Sequence, residues 1–243
     1  MLTANVSVLS PQLSMPRNKP MTGFCLRIEN LRFRYADRFR RSSFELAVDS
    51  FSPPSNCTAV IGENGCGKTT LGKLIAGILR PTSGSIYFNG ADIAALALGE
   101  IGQLVGYLFQ EPSRQIFAPN PLEEIAFPME LRGTPKDEAK KTAREYLAKF
   151  ELSHIEDSTT YTLSRGEKQR LAIAAAMVMR PKYFVLDEPT TGLDKKRREM
   201  LGDILKKLLA DGVGVLLFSH DTDFVKLMGA DVYHVKGGRM VAP

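Results

Sequence analysis

The sequence predicts an α/β protein built on a mainly parallel sheet with helices on both faces. Three observations carry that expectation. From residue 164 onward, helical and strand patterns alternate. A glycine-rich loop, residues 62–69, joins an apolar strand to a helix. A second apolar run, from residue 183, ends in two consecutive acids, Asp187 and Glu188.

The elements follow in order. Residues 24–35 and 43–49 alternate apolar and polar, as half-exposed strands do. Residues 57–61 form a short buried strand, and a helix is expected from Lys68 to about Ile78. Arg80 to Gly84 is a turn, residues 85–89 are a strand, and residues 104–109 are a strand ending at Gln110. The stretch 111–163 carries Pro112, Pro119, Pro121, Pro128 and Pro135, and an amphipathic helix from about 136 to 150. It reads as a mostly helical insertion. The chain then runs helix, strand (182–187), helix (195–210), strand (213–218), short helix, strand (231–235). No internal repeat is present.

Residues 1–23 hold Pro11, Pro16 and Pro20 and little periodicity, so they read as a disordered tail ahead of a domain at 24–243. Met21 is a candidate start. No basic start followed by an apolar block marks a signal peptide.

Composition narrows the function classes. Hydrophobic residues make up 44% and charged ones 24%, which excludes disorder of the whole chain. No apolar run approaches the ~18 residues of a membrane span. The net charge of +5 is too small and too spread out to indicate nucleic acid. Arginines at 32, 34, 38, 40 and 41 alternate with Phe33, Tyr35 and Phe39. They read as a solvated strand face and turn, or as a contact with anionic lipid or nucleotide. Cys25, Cys57 and Cys66 have no paired spacing, so neither a disulfide framework nor a zinc site is expected and a reducing compartment is.

Residues 62–69 satisfy GxxxxGK[ST] between a strand and a helix. Glycines let the backbone curl so that successive N–H groups point at phosphate oxygens. The helix beginning near Lys68 adds the positive end of its dipole. Gly62, Glu63, Asn64, Gly65, Cys66, Gly67, Lys68, Thr69 and Thr70 are therefore the expected phosphate-binding segment. Lys68 would neutralise the β- and γ-phosphates, and the Thr69 hydroxyl would ligate Mg²⁺. Cys66 reads as packing, within reach of a thiol reagent that would block ATP.

Asp187 ends a buried strand at its carboxyl edge, where ligands bind in open α/β sheets. It is the expected second holder of Mg²⁺. By the period-two rule Glu188 should point to the other side of the strand, placed to orient the attacking water. Ser164 and Glu167 have the spacing of a capping box at a helix start.

The ordered set of phosphate loop, LSRGEKQR (163–170), VLDEP (185–189), TTGLD (190–194) and the isolated His220 resembles the ATP-binding cassette (ABC) transporter ATPases over about residues 24–240. The resemblance implies a P-loop cassette with a mainly parallel core sheet, an antiparallel β subdomain and a helical subdomain at 111–163. It implies ATP hydrolysis with Mg²⁺ between two cassettes, identical or paralogous. Ser164 and Gly166 would then reach the γ-phosphate held by the partner, and Asp194 would couple the two sites. Tyr35 would stack on adenine, Gln110 would touch Mg²⁺ and water, and His220 would contact the γ-phosphate. Arg165 and Glu167 stand where the family usually has Gly and Gln. A carboxylate there is tolerable only if Glu167 turns back to cap its own helix.

The stretch from Phe109, FQEPSRQIFAPNPLEEIAF, resembles the ATPases of energy-coupling factor importers, which carry vitamins or transition-metal ions. Gln110, Pro112, Gln115, Phe117, Glu123, Glu124, Ala126 and Phe127 keep that outline. That implies a peripheral subunit on the cytoplasmic face of the cell membrane, bound to a transmembrane scaffold and a substrate-binding membrane subunit, with no nucleic acid. Ile116, Phe117, Ile125 and Phe127 are either the exposed docking surface or the insertion's own small core. Other readings are a soluble cassette of translation or DNA repair, an ATPase of another ABC class, and a non-hydrolysing binder.

Overall fold

The computed structural model describes residues 25–35 and 44–241. The tail at 1–23, Phe24, and the arginines at 38, 40 and 41 lie outside the described residues. In chain order the first elements are β1 (Leu26–Phe33), β2 (Leu46–Phe51), β3 (Cys57–Ile61), α1 (Lys68–Ile75), β4 (Ser83–Phe88) and β5 (Ala91–Asp92). Next come α2 (Leu98–Leu104), β6 (Val105–Leu108), α3 (Pro121–Glu130), α4 (Lys136–Lys149) and α5 (Arg165–Met177). The chain closes with β7 (Tyr183–Asp187), α6 (Lys195–Ala210), β8 (Gly214–Phe218), α7 (Thr222–Met228), β9 (Asp231–Lys236) and β10 (Arg239–Val241).

Among the described residues ten strands form one sheet, ordered β5-β4-β1-β2-β10-β9-β3-β8-β7-β6. The half from β9 to β6 is parallel. The half from β5 to β2 is antiparallel. The hairpin of β9 and β10 joins them, with β10 running parallel to β2. Register brings the strand ends level: Val60 lies opposite Phe218, and Asp187 opposite Phe218 from the other side. The segments leaving β3, β7 and β8 therefore emerge together at one edge.

Alternation along the central strands divides the core in two. Phe184, Leu186, Val215 and Leu217 face the cluster completed by α3, α4, α5, α6 and α7. Tyr183, Val185, Leu216 and Phe218 face the cluster completed by α1 and the antiparallel strands. Both faces are covered, which is why these strands read as continuous apolar runs rather than alternating ones.

The segment 111–163 contains α3 and α4 with short 3₁₀ turns. Asn120 caps α3 by accepting from the Glu123 N–H at 2.9 Å, and Pro121 takes the first helical position. The Pro119-Asn120-Pro121 sequence thus builds a helix start. Ile125 is fully buried and packs with α4 and α5, so of its two readings core packing holds and the exposed docking surface does not. Phe117 and Phe127 are 64% and 39% exposed, with rings edge to face at 5.1 Å.

Smaller differences have local causes. α1 stops at Ile75 because Gly77 turns into the left-handed region at φ 71°. α2 and β10 lack a sequence signal: α2 is seven residues including two glycines, and β10 is three residues held by its partners.

Gly214 tests the sheet packing. A Cβ there would stand 2.3 Å from the buried Tyr183 ring. Gly214→Ala should therefore cost about 1–3 kcal/mol in a chemical-denaturation measurement. An unchanged midpoint would show that the ring has room to move.

Candidate functional site

The loop after β3 turns on two left-handed glycines, Gly65 at φ 79° and Gly67 at φ 112°. A side chain at Gly67 would also meet Leu46 at 2.9 Å and Phe44 at 3.0 Å. Gly67 starts α1 with no side-chain cap, so the first-turn amides have no partner within the helix. Together with the helix dipole they make a site for an anion. The Lys68 ammonium folds back to donate to the Gly62 carbonyl at 2.7 Å and the Glu63 carbonyl at 3.1 Å.

A cavity of about 430 Å³ opens above this loop. Asn64, Gly65, Gly67, Lys68, Thr69 and Thr70 form its floor. Tyr35, Phe44, Gln110, Asp187 and Glu188 line the rest of it. The Tyr35 and Thr70 hydroxyls lie 3.2 Å apart. Gly62, Glu63 and Cys66 complete the loop but do not line the cavity. Cys66 is buried against Gly62 and the core, which supports its reading as packing.

Asp187 is almost fully buried. Its Oδ1 has no hydrogen-bond partner among the described residues, while Oδ2 accepts from the Tyr107 hydroxyl at 3.4 Å. Burial pushes this carboxyl above the usual range and the Glu188 charge adds to the push. The nearby Thr69 and Tyr107 hydroxyls and the Lys68 ammonium pull it down without reversing the direction.

Glu188 corrects one expectation. It does not continue the strand alternation, because it lies past the end of β7 with φ at 50°. The left-handed turn brings it to the same cavity as Asp187. Such a conformation is uncommon for a residue with a side chain and concentrates at functional positions. The Glu188 N–H donates to the Phe218 carbonyl at 2.8 Å, which locks the turn to β8. His220 Nδ1 lies 2.8 Å from Glu188 Oε2, so the two residues form a pair across the ends of β7 and β8.

Ser164, Gly166 and Asp194 lie on a second surface, where α5 and α6 begin side by side. Glu167 turns back as expected: its Oε2 accepts from the Ser164 N–H at 2.8 Å and the Ser164 hydroxyl at 2.6 Å. Asp194 caps α6 through the Arg197 N–H at 2.8 Å. Arg165 lies against Gly192, and Arg197 beside Gly166. A single chain does not bring these residues to the cavity. Sequence reasoning missed Phe44 and Tyr107; a hydroxyl inside the apolar run LVGYLF is the signal that points to Tyr107.

The buried charge makes a stability prediction. An acid whose folded pKa is raised loses stability as pH climbs from the ordinary carboxylate range through the raised value. Asp187→Asn removes that loss. Without nucleotide or metal at pH 7, the variant should melt a few degrees higher than wild type. It should also gain less on acidification; a lower melting point would contradict the account.

A family model described as "ABC transporter" matches residues 48–191. The energy-coupling factor transporter ATP-binding protein EcfA of Methanothermobacter thermautotrophicus is 40% identical over 187 residues, which is 76% of this chain and 60% of that protein. The energy-coupling factor transporter ATP-binding protein EcfA3 of Clostridium perfringens is 32% identical over 227 residues, 91% of this chain and 78% of that one. The solved structure of cbiO1 from Clostridium perfringens, described as part of the ABC transporter complex cbiONQ, superposes with a TM-score of 0.74. It is 31% identical and the match covers 90% of this chain and 87% of that one. With a phosphate loop, a buried strand-end aspartate and a carboxylate–histidine pair at one edge of the matching fold, the chain belongs to the ABC transporter family, as an ATP-binding and ATP-hydrolysing subunit.

Proposed function

We propose that this chain is the ATPase of an energy-coupling factor importer. It hydrolyses ATP with Mg²⁺ at the interface of two cassettes and drives uptake of a vitamin or transition-metal ion through separate membrane subunits. The observation that carries the chemistry is the Glu188–His220 pair at 2.8 Å, of which Glu188 lines the phosphate-loop cavity and His220 stands behind it beside Thr190 and Asp221. The importer class is supported by the wording of residues 109–127 and by the names of the relatives.

The loop amides and the start of α1 take the phosphates. Lys68 leaves two neutral carbonyls for charged oxygens, a stronger set of acceptors. The adenine stacks on Tyr35, whose ring is half exposed and braced edge-on by Phe33 at 4.9 Å. His220 holds Oε2 of Glu188, so Oε1 accepts the proton of the attacking water. As the water oxygen bonds to the γ-phosphorus, the bond to the bridging oxygen breaks. ADP keeps that electron pair, and the proton passes from Glu188 to solvent with phosphate release. Lys68 and His220 stabilise the charge that develops.

The donor set fits a divalent cation: Asp187, with one buried carboxylate oxygen that has no partner among the described residues, lines one cavity with Thr69 and Gln110. Asp187, Thr69 and Gln110 would hold Mg²⁺, which when bound neutralises charge on the β- and γ-phosphates.

A second cassette completes the site. Its Ser164 and Gly166, at the start of α5, meet the γ-phosphate, and Asp194 links the two sites. Phe117 and Phe127 offer an apolar docking surface to a transmembrane scaffold on the cytoplasmic face of the membrane. Among the described residues no helix is long and apolar enough to cross a membrane.

Two experiments test this. Glu188→Gln should keep ATP affinity and lose at least about 100-fold in turnover of the assembled complex; wild-type turnover would remove Glu188 from the mechanism. Phe117→Asp with Phe127→Asp should leave nucleotide binding intact and move the protein from the membrane fraction to the supernatant. Retention of the doubly substituted protein with membranes would reject this docking surface.

A further inference from the structure

We infer that Tyr107 is a positioning residue for Asp187: its hydroxyl holds one carboxylate oxygen and so fixes where the other, unpartnered oxygen lies. The inference rests on the proposed role of Asp187 in holding the cation. Tyr107 lies on β6, hydrogen-bonded in parallel to β7, with Tyr107 opposite Val185. It is 8% exposed in a strand whose other side chains, Val105 and Leu108, are apolar and buried. A buried phenol costs stability unless its hydroxyl finds a partner. The partner here is Asp187 Oδ2, at 3.4 Å.

The ring has little freedom to place that hydroxyl elsewhere. Phe109 packs against it edge-on at 4.9 Å. α1 closes it from above through Gly72, where a Cβ would stand 2.9 Å from Tyr107 Cε2, 3.3 Å from its hydroxyl and 2.8 Å from Phe218. The missing side chain at Gly72 is therefore the space the ring occupies. With Oδ2 engaged from below, Oδ1 is left buried and unpaired. Without the hydroxyl, Oδ2 loses its anchor on β6, and the carboxylate is left to the pull of Thr69 and Lys68 from the phosphate loop.

The test separates the cation from the nucleotide. A fluorescent ATP analogue is titrated into full-length wild type and Tyr107→Phe, first in EDTA and then against rising Mg²⁺. Tyr107→Phe keeps the ring and removes only the oxygen. Affinity in EDTA should match wild type. The Mg²⁺ midpoint should rise about 10-fold, the low end for a residue orienting a metal ligand, because the bond is long. Gly72→Ala, which pushes the ring aside, should raise the same midpoint. Melting curves in EDTA establish that each variant is folded. An unchanged Mg²⁺ midpoint in folded Tyr107→Phe overturns the inference, and so does an equal loss of affinity with and without Mg²⁺. If wild type itself gains nothing from Mg²⁺, the cation role of Asp187 fails first and the inference with it.

Discussion

A buried negative charge at the end of an enclosed strand is the constraint on which the site depends. Asp187 closes β7, which is covered by side chains on both faces, and water cannot solvate its carboxylate there. The surrounding groups are arranged around that cost. Lys68 and Thr69 approach from the phosphate loop, Tyr107 reaches up from the neighbouring strand, and one oxygen is left without a partner. A site in this state favours whatever brings positive charge to that oxygen, so ligand binding and the relief of burial act in the same direction.

The parallel sheet brings the chemistry together. Lys68, Glu188 and His220 are far apart in the chain, yet each follows a strand of the same parallel block. Equal register of β3, β7 and β8 delivers all three to one edge. The Glu188 turn is tied to β8 by its own N–H, and its carboxylate pairs with the first residues after that strand. The strain of a left-handed glutamate is thus held by the sheet rather than by the loop.

The helical segment is wired to the same frame by buried polar groups. Glu124 is enclosed beneath Phe117 and accepts its N–H at 3.0 Å and that of Ala118 at 2.7 Å. The Thr160 hydroxyl donates to the Ala118 carbonyl at 2.8 Å. The loop that presents the exposed phenylalanine is therefore bonded from both sides, and one of those bonds leads to the residues just before Ser164. In the proposed reading this is how movement at a docking surface reaches the start of α5.

The α/β class, the phosphate loop, the strand-end acids and the Ser164 cap were legible from the sequence because each depends on local spacing. A loop must curl where its glycines stand, and a capping box closes within one helical turn. Ile125 stayed undecided between surface and core because an apolar residue on a helix carries no mark of which neighbour covers it. Glu188 was misjudged because alternation ends where the strand ends, and the hydrogen bond that turns it comes from β8. Tyr107 went unnoticed because its partner lies on another strand. The sequence by itself determined which residues could do the chemistry. Only the tertiary structure decided which of them share a cavity, since sheet order and register are set by contacts between segments distant in the chain.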